Sequence, residues 1–134
     1  MTEQRKILIT KDKIPTSLLV KWGLSLLSEG WTTIPNELLF HQKDLDLSNS
    51  EMMLMIHILS FMHHPMAPAF PSIETLANRI NQHPRTVQRT IDRLIKKRVL
   101  KKTVRSKHKN DKGMTNLYSI EPLLQNLSRF IINK

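Results

Sequence analysis

The side chains best placed to do chemistry lie in one short segment, PRTVQRTIDRLIKK, from Pro84 to Lys97. At about 100° per residue, Val87, Ile91, Leu94 and Ile95 gather on one side of a helix. Arg85, Arg89, Arg93 and Lys96 occupy the opposite direction, and Thr86 and Gln88 flank that face near its start. Guanidinium, amide and hydroxyl groups on an exposed helix face are the groups that read base edges. Arg pairs with guanine O6 and N7, and Gln with adenine N6 and N7. The first turn of such a helix also offers free N–H groups to a phosphate. This is the chemistry of recognition. Asp92, the one acid in the segment, is read as an i,i+4 partner of Lys96 rather than a catalytic acid.

The charge distribution points the same way. The chain has 134 residues and a formal net charge of +10. Between Arg79 and Lys112 there are 13 Lys/Arg against 2 Asp/Glu, whereas the other 100 residues hold 8 Lys/Arg and 9 Asp/Glu. The whole excess therefore sits in one quarter of the chain. A single-sign concentration of this size stores repulsion that a polyanion relieves.

The elements that must position this face follow from the flanking sequence. In PSIETLANRI, Ser72 can cap a helix whose inward face is Ile73, Leu76, Ala77 and Ile80, and Ala77 is small enough for a second helix to cross closely. Asn81-Gln82 makes the corner, because Asn tolerates the left-handed conformation of a tight turn. His83 falls at the next cap and Pro84 at the first helical position, where its missing N–H costs nothing. Upstream, Pro15 to Glu29 reads as one amphipathic helix closed by Gly30. Trp31 to Leu47 reads as irregular, although Ser48-Asn49-Ser50-Glu51 has the spacing of a capping box. The helix it opens, EMMLMIHILSFMHH, is apolar nearly all round, so it is either the central helix of the domain or part of a subunit interface. Its Met52, Met53, Met55 and Met62 are adaptable core filler. Ile7-Leu8-Ile9 is a strand or disordered. VLKKTV (99–104) and NLYSI (116–120) are strand-like, with a basic loop between them. Pro122 to Ile132 has a helical apolar period.

Residues 72–120 resemble a winged helix-turn-helix DNA-binding domain. LANRINQHPRTVQRTIDRLIKKRVL is similar to bacterial families whose recognition helix carries an R-T-V-x-R run and then enters a hairpin. GWTTIPNELLFHQKDLDLSNSEMMLMIHILSFMHH is similar to the opening of domains encoded by plasmids, phages and integrative elements. The resemblance implies base contacts from His83, Arg85, Thr86, Gln88 and Arg89. It implies backbone contacts from Ser72, Thr75, Arg93 and Lys96, and from a wing bearing Arg105, Lys107, His108, Lys109 and Lys112. His83 departs from the usual Ser or Thr cap, and Pro84 removes a side chain that often touches DNA.

The expected fold is mainly α: a winged helix-turn-helix over residues 30–120 with a two-stranded β wing, an N-terminal arm and amphipathic helix (1–29), and a C-terminal amphipathic helix (121–134). The expected partner is double-stranded DNA, bound sequence-specifically by a small transcriptional regulator acting as a homodimer. The alternatives are a replication-initiation, partition or transfer accessory protein of a mobile element, and a winged-helix module that binds protein. Leu18, Trp22 and Leu26, with Leu124, Leu127 and Ile131, are the candidate dimer surfaces, since a single module reads few base pairs. The chain has no cysteine, no signal-peptide h-region and no apolar run long enough to span a membrane, and the expected location is the bacterial cytoplasm. No enzyme signature, cofactor or small-molecule site is read: with 3 Gly there is no Gly-rich phosphate loop. His57 and His64 are too far apart on one helix to chelate together, and no metal site is expected.

Overall fold

The computed structural model describes residues 13–62, 71–104 and 116–132. The Ile7–Ile9 patch, His63, His64, and Arg105, Lys107, His108, Lys109 and Lys112, expected in a wing, lie outside the described residues. The architecture is mainly helical with one two-stranded antiparallel sheet. The chain divides after Thr33 into two compact units.

The first unit holds α1 (Thr16–Trp22) and α2 (Leu24–Leu27). The sequence predicts a single helix here. The structure breaks it at Gly23, whose φ of +84° and ψ of 157° leave the helical region and suit a residue without Cβ. Ile14 and Leu27 are buried, while Val20, Trp22, Leu24 and Leu26 are exposed.

The second unit, Ile34 to Lys134, holds the rest: α3 (Asn36–Phe40), α4 (Asn49–Leu59), α5 (Ile73–Ile80), α6 (Pro84–Lys96), β1 (Lys101–Val104), β2 (Asn116–Ser119) and α7 (Glu121–Ile132). Within the stretch read as irregular, α3 forms a short helix with Pro35 at its N-cap and Glu37 in its first turn. The capping box that opens α4 is complete: Ser48 Oγ accepts from the Glu51 N–H at 3.2 Å, and the Glu51 carboxylate accepts from the Ser48 N–H at 2.8 Å. Helices α4, α5 and α6 pack on one another. The shared core takes Met52, Leu54, Met55 and Ile58 from α4, Leu76 and Ala77 from α5, and Val87, Ile91 and Leu94 from α6. Thus α4 is a central helix, and Met52 and Met55 fill core volume, while Met53 is exposed.

Helix α6 ends without glycine. Arg98 takes the left-handed conformation at φ +59°, its N–H bonds to Ile95 O at 3.1 Å, and the Val99 N–H bonds to Leu94 O at 3.2 Å. That pair of bonds is a Schellman cap, which turns the chain straight into β1. The strands pair from Lys101 opposite Ser119 to Val104 opposite Asn116. Tyr118, Leu123 and Leu127 close the core from β2 and α7. Phe130 of α7 stacks on the His41 ring at 5.0 Å between centroids, and His41 is itself held between Glu37 Oε2 (3.0 Å) and Asp44 Oδ2 (2.8 Å).

Candidate nucleic-acid interface

The corner between α5 and α6 sets the direction of the charged face. Asn81 adopts φ 53°, ψ 51°, and the Gln82 N–H returns to Ala77 O at 3.0 Å. Ala77 itself is buried where α5 meets α6. Ser72 caps α5 by accepting from the Thr75 N–H at 3.0 Å, and its hydroxyl lies 2.8 Å from Thr75 Oγ1. Both hydroxyls proposed for backbone contacts are thus already bonded to each other.

At the start of α6 the imidazole of His83 does what Ser or Thr does elsewhere: its Nδ1 accepts from the Arg85 N–H at 3.0 Å. His83→Ala leaves this amide without its side-chain acceptor and should cost about 1 kcal/mol. His83→Ser should recover most of that loss. Urea denaturation of the three proteins checks both, and equal stability of the wild type and the Ala variant would remove the capping role.

Val87, Ile91 and Leu94 are fully buried, and Ile95 packs against them. Arg85, Thr86, Arg89, Arg93 and Lys96 are exposed, with His83 at the N-terminal end of the same surface. The structure therefore brings together His83, Arg85, Thr86, Arg89, Arg93 and Lys96 on one helix. Gln88 is half-buried, and its amide donates to Asp92 at 3.2 Å. Asp92 thus partners Gln88 where the spacing predicted Lys96. Of the candidate dimer residues, Trp22, Leu26, Leu124 and Ile131 are exposed and Leu18 is half-buried. Leu127 sits in the core, so it has no surface to offer a second copy.

Arg93 carries the largest surprise. Its Nε donates to Glu51 Oε2 at 2.9 Å and its Nη2 to Thr90 Oγ1 at 3.1 Å. Lys97 Nζ donates to the other Glu51 oxygen at 2.7 Å and also bonds the Asp46 carbonyl. Glu51 is 2% exposed, whereas half of the Arg93 side chain faces solvent. Burial alone would push the Glu51 carboxyl up. The Lys97 ammonium, the Ser48 N–H and the Arg93 guanidinium outweigh it and hold the pKa at about 2. Sequence reading caught Glu51 as a capping-box residue and missed this clasp, because its partners lie 42 and 46 residues away.

Among the described residues, no group of three His, Asp or Glu side chains could hold a metal, and no helix is long and apolar enough to cross a membrane. Burial and the Arg79 guanidinium push the His57 imidazole below its ordinary pKa.

Comparison with known proteins decides the family. The sequence model of the DnaD N-terminal domain matches residues 34–134, the whole second unit. The chain belongs to the DnaD N-terminal domain family. A DnaD relative has been solved, described as the crystal structure of the N-terminal domain of DnaD protein from Geobacillus kaustophilus HTA426. It superposes with a TM-score of 0.60 over 90% of this chain and 93% of that one. At 24% identity this likeness is one of fold. No curated protein matches the chain by sequence.

Proposed function

We propose that the chain is a DNA-binding accessory protein of replication, and that α5, α6 and the β1–β2 hairpin work as a winged helix-turn-helix. The observation that carries the reading is the exposed line of Arg85, Arg89, Arg93 and Lys96, set on a helix whose opposite side is locked into the core. Membership of the DnaD family favours a replication role over the small transcriptional regulator that the sequence first suggested. Affinity comes mainly from Lys and Arg neutralising phosphates, and discrimination from the N-terminal half of α6. In this reading Arg105, Lys107, His108, Lys109 and Lys112 steady the complex on the backbone. Two copies reading adjacent sites would supply the specificity a single module lacks, with Trp22 and Leu26 or Leu124 and Ile131 as the paired surfaces. A monomer in sedimentation with and without DNA would remove that pairing.

The deciding experiment is selection of bound fragments from sheared source DNA at near-physiological salt, followed by sequencing. Clustered direct repeats support the replication reading. A single inverted repeat beside a promoter returns the regulator in its place, and no enrichment removes sequence-specific binding.

Arg85→Ala should cost roughly 1–3 kcal/mol on the preferred site and relax base preference there. Gln88→Ala should cost less, since its amide is already satisfied by Asp92. Lys107→Ala with Lys109→Ala should weaken all duplexes alike and flatten the salt dependence. Titrations at several salt concentrations separate these effects. Identical behaviour of the two sets would break the division between reading helix and positioning wing.

A further inference from the structure

A second basic surface lies away from the α6 face. The end of α6, the start of β1 and the outer side of α7 enclose a groove of about 510 Å³. Four cations line it, Arg98, Lys101, Lys102 and Arg129, over a floor that includes Ile95 and Pro122. We propose that this groove is a docking site for an acidic amphipathic segment of a partner protein.

The first argument is charge. Among the described residues no carboxylate lines the groove, and none of its four cations is ion-paired. The contrast with the neighbouring turn is sharp, since Arg93 and Lys97 are both bound to Glu51. Four cations converging without a counter-charge favour an anionic occupant.

The second argument is rigidity. Asn126 ties the walls together: its Nδ2 donates to the Arg98 carbonyl at 2.6 Å, and its Oδ1 accepts from Arg129. The left-handed turn at Arg98 that presents this carbonyl is fixed by the Schellman bonds. One wall is thereby anchored to the other before any partner arrives, which lowers the cost of binding.

The third argument selects protein over nucleic acid. Ile95 lies roughly a third of a turn around α6 from the line of Arg85 and Arg89, so the groove opens to the side of that line and not along it. Among the described residues no aromatic side chain lines the groove, and so none offers the stacking platform of single-strand binders. Helix α7 carries Pro122 in its first turn, which removes an amide that a phosphate would want. A sugar-phosphate backbone gains nothing from Ile95 and Pro122, whereas the apolar side chains of an acidic amphipathic peptide do.

The test uses the full chain and three fluorescein-labelled probes: a short peptide alternating Glu and Leu, a peptide of equal charge with Ser replacing Leu, and a duplex oligonucleotide. Anisotropy should show saturable binding of the Glu/Leu peptide and clearly weaker binding of the Glu/Ser peptide. The double variant Gln125→Glu, Arg129→Glu, both on α7 and outside the proposed DNA-binding unit, should lose about tenfold or more in peptide affinity while binding duplex as the wild type does. Arg98→Gly, which keeps the left-handed turn, should weaken the peptide in the same direction. Arg85→Ala should leave the peptide untouched. Thermal melts of each variant establish that it is folded. Absence of peptide binding to the wild type, equal binding by the double variant, or equal affinity for the two peptides overturns the proposal. Loss of duplex binding in the double variant would instead make the groove part of the DNA track and overturn it as well.

Discussion

Replacing Glu51 with Ala destabilises the chain by about 3–4 kcal/mol at neutral pH, because it removes a buried carboxylate that satisfies three donors at once. The same side chain closes the N-terminus of α4 and holds both Arg93 and Lys97 of the α6 end. Its two cationic partners are only partly buried, so they regain water when it is lost, which keeps the cost from rising further. Glu51→Gln keeps an acceptor for the Ser48 N–H and should lose less than Ala. The pH dependence is a sharper check. The Glu51 carboxyl is held at about 2 against an ordinary value of 4.5, so the folded state favours the charged form. Its contribution is therefore complete above pH about 4.5 and is lost as pH falls from there toward about 2, a loss on the order of 3 kcal/mol. Other carboxylates titrate in this range too, so the difference between wild type and Glu51→Gln isolates this group. Urea denaturation at pH 7 and pH 3 should bring the two proteins closer in stability at the lower pH. If their difference is the same at both values, Glu51 is not the depressed carboxyl.

In the proposed DNA-binding role, this clasp also bears on binding. An Arg held through Nε and Nη2 loses less side-chain freedom when a phosphate arrives than a free one does. The arrangement makes Glu51 a positioning residue for the α6 surface, although it lies on a different helix and is shielded from solvent.

What the sequence shows clearly and what it hides follow from the range of each interaction. The α5–α6 pair is legible because its signals are local: a Ser cap, an Asn at the corner, a Pro at the first helical position and an apolar period of 3.6. Each of these acts within about a turn of helix, and the structure reproduces them nearly residue for residue. Helix α3 is too short to show a period, and the break at Gly23 is masked because the apolar residues on either side still fit one helical face. Nothing local announces that Glu51 meets Arg93, or that Asn126 meets the Arg98 carbonyl, since both pairs are formed only by packing. The preference between transcription and replication is likewise not written in charge or period. A basic helix would serve either, and the family match is what points toward replication.

Helix α7 shows the same limit in its simplest form and yields the second large prediction. Its apolar period names a face without saying what covers it. Leu123 and Leu127 are buried in the core of the second unit, while Leu124 and Ile131 remain exposed. Leu127→Ala should therefore destabilise the chain by about 2–4 kcal/mol, through lost transfer energy and the cavity left beside its core neighbours. Leu124→Ala, one position earlier in the period, should change stability by less than about 0.5 kcal/mol. Because the two substitutions delete the same atoms from one helix, helix propensity changes almost equally and burial accounts for the difference. Equal losses in urea denaturation would mean that Leu124 is also covered, whether by a second copy, another partner or a segment outside the described residues. The paired measurement thus separates the packing of α7 on its own unit from its use as an interface. Repeating it over a range of protein concentrations tells the two apart, since an intramolecular core is indifferent to concentration and an interface is not.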